Sequence, residues 1–192
     1  DGKEYLDFVA GWAVDNLGHC HPIITDAIVE QSKNLLQTSN QFYTIPQLLL
    51  ARLLVDNSCL DRVFFCNSGA EAVEGSIKLS RKYGKDYRNG AYEIITAFNS
   101  FHGRTLASQM TGGIPGQKDW IVNLDPAIVQ VPWPDGYWTE DTSFDLFLKT
   151  LEECGMPPEN VAGVMFETFQ GVGPDFAPVE YIGKLRQWCD AN

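Results

Sequence analysis

The chain is short of basic residues: 14 Lys and Arg stand against 25 Asp and Glu, a net charge of −11 over 192 residues. No basic stripe offsets that balance, which argues against partnership with nucleic acid or an anionic membrane. Cysteine is sparse and odd in number, five in all, and no pair has CxxC spacing. Neither a disulfide framework nor a zinc site is expected, and reduced thiols are the default. His19-Cys20-His21 holds two of only three histidines, but neighbouring residues cannot easily converge on one tetrahedral ion, so no metal is expected. No apolar run approaches the ~20 residues of a membrane span. The opening Asp-Gly-Lys-Glu-Tyr lacks signal-peptide character, and a cytoplasmic protein is the expectation. An initial Met is missing too, and the chain starts inside what reads as a strand, so it reads as a fragment. Internal repeats and low-complexity tracts are absent.

What remains is an ordinary globular composition, 44% hydrophobic and 20% charged. Residues 5–9 alternate apolar and polar like a half-buried strand, then loosen into loop at Ala10-Gly11-Trp12. Pro22 and Pro46 suit the first turns of two helices, the second offering Leu48, Leu49, Leu50, Leu53 and Leu54 as a wide buried face. Apolar residues 63–65 read as a strand running into a helix from Ala70. That helix places Ala72, Ser76, Leu79 and Tyr83 on one face, widened by Val73 and Ile77. Its acids Glu71 and Glu74 come early and its bases later, matching the macrodipole. Strand signals over 92–97, 128–131 and 161–166 alternate with helical ones over 143–154 and 178–190. This alternation argues a largely parallel α/β sheet, whose ligands gather at the carboxyl ends of the strands.

Two segments at such strand ends carry the chemistry. The first, Phe65-Cys66-Asn67-Ser68-Gly69-Ala70-Glu71-Ala72-Val73-Glu74-Gly75, breaks at Asn67-Ser68-Gly69 and runs straight into a helix. Its free N–H groups and helix dipole suit a phosphate, although Ser68 also reads as a plain N-cap with no ligand. The second, Ser100-Phe101-His102-Gly103-Arg104-Thr105, sets an aromatic ring, an imidazole and a guanidinium within four residues. Taken alone, Phe101 reads as a core aromatic and His102 as a structural hydrogen-bond partner. Arg104 suits bidentate capture of a carboxylate, with a surface ion pair as its alternative.

In this order, the two segments resemble the class III aminotransferases, close to the acetylornithine and ornithine aminotransferase group, and the resemblance covers essentially the whole chain. It implies the large domain of a fold type I pyridoxal 5′-phosphate-dependent transferase. Residues 1–45 would be an N-terminal segment and 46–192 the first part of the cofactor domain. Ser68, Gly69 and Ala70 would cradle the cofactor phosphate, Phe101 would stack on its ring and His102 would support it. Arg104 would hold the substrate α-carboxylate. Glu167-Thr168-Phe169-Gln170-Gly171 is similar to the family's Glu-Pro-x-Gln-Gly segment, with Thr168 in place of proline, and makes Glu167 a cofactor-pocket residue. Ornithine-type members carry a second Glu five residues on, where this chain has Val172.

The stretch 7–22 matches a family segment ending Gly-His-Cys-His-Pro, and places Trp12 and Tyr43 in substrate-lining loops. Both also read as ordinary packing aromatics. The resemblance implies a homodimer, with a small amino donor and a 2-oxo acid such as 2-oxoglutarate as substrates. The Schiff-base lysine and the aspartate at the pyridine nitrogen have no match up to Asn192, so no catalytic residue is expected within the chain. A racemase or epimerase on the same scaffold, and a segment that only folds or dimerises, remain open alternatives.

Overall fold

The computed structural model describes residues 1–173 and 175–192. The chain forms two compact units, 1–64 and 65–192.

In the first unit, residues 1–7 have no regular structure. The strand expected over 5–9 does not form, because an alternating pattern still needs a partner to satisfy its backbone groups. None pairs with it among the described residues. The chain turns next at α1 (Ala10–Ala13), where φ is positive at all four residues, 48° at Ala10, 62° at Gly11, 59° at Trp12 and 63° at Ala13. This is a single left-handed turn, a conformation that costs L-residues about 1–2 kcal/mol each. Asp7 steadies it: its Oδ1 accepts from the N–H groups of Val9 at 2.8 Å and Ala10 at 2.9 Å. Those bonds hold the Asp7 carboxyl below its usual range, that from Ala10 having the larger effect. Helix α2 (Pro22–Asn34) and helix α3 (Ile45–Asp56) each open with the proline their sequences offered. The leucine face of α3 is not buried: Leu48, Leu49, Leu50, Leu53 and Leu54 are all between 44% and 66% exposed.

The second unit is built on a parallel three-stranded sheet in the order β2-β1-β3, the α/β class expected. Strand β1 (Glu93–Ala97) lies between β2 (Ile128–Val131) and β3 (Val161–Val164). Ile94 pairs with Ile128 on one side and with Gly163 on the other. The strand expected at 63–65 does not form.

Alternation along β1 sends its side chains to two layers. Ile95 and Ala97 join Val131 and Trp133 in a core with Phe144, Phe147 and Leu151 of α6 (Phe144–Glu153) and Tyr181 and Leu185 of α7 (Val179–Ala191). Within it the Phe144 and Phe147 rings stack at 4.9 Å. On the other layer, α4 (Gly69–Tyr87) packs against β3.

The face that α4 buries keeps only Val73 and Ile77 of the expected set. Ile77 and Gly84 are buried and Val73 and Ser80 half-buried, whereas Leu79 and Tyr83 stand exposed. The helix is rotated by one residue, about 100°. Gly84 explains the rotation: a Cβ there would lie 2.0 Å from the Ala91 carbonyl oxygen, so only glycine permits the approach. Among the described residues no helix is long and apolar enough to cross a membrane.

Candidate active site

Helix α4 begins with a reciprocal cap. Ser68 Oγ accepts from Glu71 N–H at 3.2 Å, and the Glu71 carboxylate accepts from Asn67 N–H at 2.7 Å. The plain-cap role of Ser68 is therefore real. The N–H groups of Gly69 and Ala70, at the head of a 19-residue helix, have no partner in the helix ladder. A Cβ on Gly69 would meet nothing within 4 Å, so the space beside the helix start is clear.

The loop after β1 is folded tightly. Asn99 takes a left-handed φ of 62°, its N–H donates to Gly113 O at 3.0 Å, and Gly113 N–H donates back to Ser100 O at 2.8 Å. Ser100 Oγ, buried, donates to Ala97 O at 2.7 Å. From this base Phe101 leans outward, 41% exposed, its N–H donating to Glu167 Oε2 at 3.1 Å. The Arg104 guanidinium carbon lies 5.5 Å from the Phe101 ring centroid. Arg104 is exposed and has no carboxylate partner among the described residues. The ion-pair reading of its sequence position therefore has no acid to support it.

His102 points the other way. It is 8% exposed, its Nε2 has no hydrogen-bond partner, and burial pushes its pKa down to about 4. It is a neutral imidazole at ordinary pH. It lines a cavity of about 390 Å³ between α4 and the sheet, together with Ser76, Ile94, Gly163 and Phe166. Gly103 then joins the two motifs. Its φ is +127°, and a Cβ there would fall 2.8 Å from Ala70 Cβ and 2.7 Å from Ser108 Oγ. The ring-and-guanidinium loop thus rests directly on the helix end that can receive a phosphate.

Glu167, three residues after β3, also accepts from Gly171 N–H at 3.3 Å. Val172 follows on the surface, 46% exposed. Three supporting groups escaped the sequence reading. The Glu74 carboxylate reaches α5 (Leu106–Thr111), 31 to 34 residues away. Gln170, buried, donates to Phe98 O at 2.8 Å, and Gly113 fits against Ala97 O where a Cβ would lie at 2.1 Å. No local pattern marks them, because every partner is distant in sequence. Trp12 and Tyr43 lie in the first unit, 90% and 88% exposed, Trp12 on the left-handed turn.

The second unit is thus a parallel α/β sheet with a capped helix end beside a guanidinium that has no carboxylate partner among the described residues. Residues 1–192 match the aminotransferase class-III family throughout, and the chain belongs to that family. It is 53% identical over its full length to acetylornithine aminotransferase 2 of Bordetella parapertussis, covering 45% of that protein. It is 43% identical over 99% of its length to the acetylornithine aminotransferase of Methanocaldococcus jannaschii, again covering 45%. Among solved structures, taurine:2-oxoglutarate aminotransferase from Bifidobacterium kashiwanohense, in complex with PLP and glutamate, aligns over 100% of this chain and 45% of its own. That alignment has a TM-score of 0.86 at 28% identity. The chain therefore spans under half the length of these relatives.

Pyridoxal 5′-phosphate is the cofactor of this family. The groups present fit it: helix-end N–H donors without a ladder partner for the phosphate, and an outward aromatic face for the ring.

Proposed function

We propose that the protein containing this segment is a pyridoxal phosphate-dependent transaminase. It moves an amino group from an acetylornithine-like amino acid or ω-amine to a 2-oxo acid such as 2-oxoglutarate, working as a homodimer. The observation that carries this reading is Arg104, unpaired beside Phe101 on a loop seated against the α4 N-terminus. When bound, the cofactor supplies an electron sink for charge developing at the carbon that bears the transferred amine.

The residues of this chain bind and orient. Gly69 and Ala70 N–H groups, with the positive end of the α4 dipole, hold the phosphate dianion. Ser68 keeps that helix end capped and in place. Phe101 covers one face of the cofactor ring and excludes water from it, and His102 supports the loop from below as a neutral ring. Glu167 fixes the Phe101 backbone. Arg104 grips the α-carboxylate of donor and acceptor in turn, a charge-assisted bidentate contact. Trp12 and Tyr43 line the substrate's path. The lysine and aspartate that this chemistry also needs have no counterpart among these residues.

Val172 leaves no carboxylate where ornithine-type members have one, and the large apolar surface of Trp12 cannot solvate a second charged ammonium group beside the one transferred. Donors whose other amine is acylated or absent are therefore preferred, in keeping with the relatives' names.

The test is a donor panel on the full-length protein with 2-oxoglutarate. Acetylornithine should exceed free ornithine in kcat/KM, and Arg104→Ala should raise KM for donor and 2-oxo acid alike by roughly ten- to a hundredfold. Arg104→Lys should recover little, because an ammonium lacks the planar fork. Unchanged constants in Arg104→Ala would overturn the carboxylate assignment. Loss of optical activity without need for a keto acid would show a racemase instead.

A further inference from the structure

Arg104 is exposed, its guanidinium carbon lies 5.5 Å from the Phe101 ring centroid, and no salt bridge holds it among the described residues. Its own side chain therefore does little to fix the direction of the guanidinium. The backbone on either side is, by contrast, tightly anchored, and both anchors belong to α4. On the N-terminal side, Gly103 sits so close to Ala70 that no Cβ fits between them. On the C-terminal side, Glu74 Oε1 accepts three hydrogen bonds, from Thr105 Oγ1 at 2.6 Å and from the N–H groups of Ala107 and Ser108 at 3.1 Å each.

Those two N–H groups belong to the first turn of α5, where no helical carbonyl can accept them. Thr105, the N-cap of α5, makes no capping bond to its own helix. Glu74 supplies the cap from another element, and a carboxylate accepting at a helix N-terminus is favoured by the dipole as well.

We propose that Glu74 is a positioning residue for substrate carboxylate recognition: it holds Thr105 and the head of α5 against α4, and so sets the reach and angle of Arg104 relative to the phosphate-receiving end of the same helix. This rests on the assignment of Arg104 to the substrate carboxylate. The consequence is chemical. A substrate that must touch the cofactor at one end and a guanidinium fork at the other tolerates little error in their separation. The first two turns of α4 would act as the ruler between them, with Ala70 and Glu74 as its two marks.

The experiment is a double-mutant cycle in the full-length holoenzyme. KM and kcat are measured for acetylornithine and for 2-oxoglutarate, and retained cofactor is measured alongside. Glu74→Ala should raise both KM values about tenfold with little change in kcat or cofactor content, the loss of charge-assisted acceptor bonds acting only through Arg104. Glu74→Gln keeps an accepting oxygen and should restore most of the affinity. In an Arg104→Ala background the further effect of Glu74→Ala should shrink to about twofold or less. Thr105→Val, which removes one donor, gives a milder variant and should show the same KM-only signature if Glu74→Ala does not fold.

Additive effects in the cycle, or a fall in kcat with KM unchanged, would overturn the proposal and leave Glu74 a stability residue. A large Arg104→Ala effect with none from Glu74→Ala or Thr105→Val would overturn it while leaving the Arg104 assignment intact. Wild-type constants in Arg104→Ala itself would remove the assignment, and the proposal with it.

Discussion

The Glu167 carboxylate accepts a hydrogen bond from the backbone N–H of Phe101 at 3.1 Å, across 66 residues of chain. Its other oxygen accepts from Gly171 N–H at 3.3 Å, so one side chain ties together the loops that leave β1 and β3. Glu167→Ala should free the Phe101 backbone and weaken the ring contact, lowering cofactor affinity by about five- to tenfold, the value of one such bond. Glu167→Gln, still an acceptor, should lose less. Equilibrium dialysis of the full-length protein against pyridoxal phosphate measures this. Equal affinity in all three proteins would reduce Glu167 to closing its own turn.

Two glycines should behave in opposite ways. Gly103→Ala must accommodate a Cβ at 2.7 Å and 2.8 Å from its neighbours and an L-residue at φ +127°. It should cost about 2–4 kcal/mol of stability. Gly69→Ala meets nothing within 4 Å and should leave stability within about 0.5 kcal/mol. Its methyl group, however, enters the space assigned to the phosphate, so cofactor affinity should fall. Urea unfolding and cofactor titration of both variants check the pair. A destabilised Gly69→Ala with normal cofactor binding would contradict the phosphate assignment.

The parts of the fold that could be read from sequence are those with local causes. Residues 128–131 form their strand as expected, and α6 and α7 lie within a residue or two of the ranges their apolar spacing implied. The failures share a tertiary cause. Residues 5–9 have the alternation of a strand but no partner, and the leucines of α3 have the spacing of a buried face but no cover. Helix α4 is turned by one residue because Gly84 meets the Ala91 carbonyl, which no periodicity could reveal. The site divides in the same way. Ser68 to Ala70 and Phe101 to Arg104 stand out as contiguous runs, and Gly103 seats the second against Ala70. Glu74 resembled a dipole-matching acid, and its actual partners, Thr105, Ala107 and Ser108, lie in another helix cap.

Arg81 gives a test of the layer beneath the site. Its Nη1 lies 2.8 Å from Asp125 Oδ2, both side chains being more than three-quarters buried, at 15% and 22% exposure. Its Nε donates to Tyr92 O at 3.0 Å, and its guanidinium stacks 3.8 Å over the Tyr92 ring. One planar cation thus fastens α4 to the entries of β1 and β2. Arg81→Lys cannot serve all three contacts and should lose about 1–3 kcal/mol. Asp125→Leu, which strands the charge, should lose about 3–5 kcal/mol. Arg81→Met with Asp125→Leu should be less destabilised than Asp125→Leu alone, as measured by urea unfolding. A double variant as weak as the sum of the singles would show that the two side chains act independently.

His102 should make stability fall on mild acidification. Its ordinary pKa of 6.5 drops to about 4 in the folded protein because burial disfavours the charged ring. The unfolded chain therefore binds a proton near pH 6.5 that the folded chain refuses until about pH 4. Proton linkage then favours the unfolded state across that window. Stability is fully present above pH 6.5, declines as pH falls, and levels off near pH 4, for a total of about 3 kcal/mol. The carboxylates held below their usual values, Asp7, Asp135, Asp141 and Glu180, act at the acid end. Their contribution is lost only as pH falls through the ordinary carboxylate range, so the interval from pH 6.5 to 5 isolates the imidazole. His102→Gln removes the titrating group at similar volume and should flatten the decline there, even if its stability at pH 8 is lower. Urea unfolding of both proteins at several pH values supplies the comparison, and parallel slopes would mean that His102 accepts its proton as readily folded as unfolded.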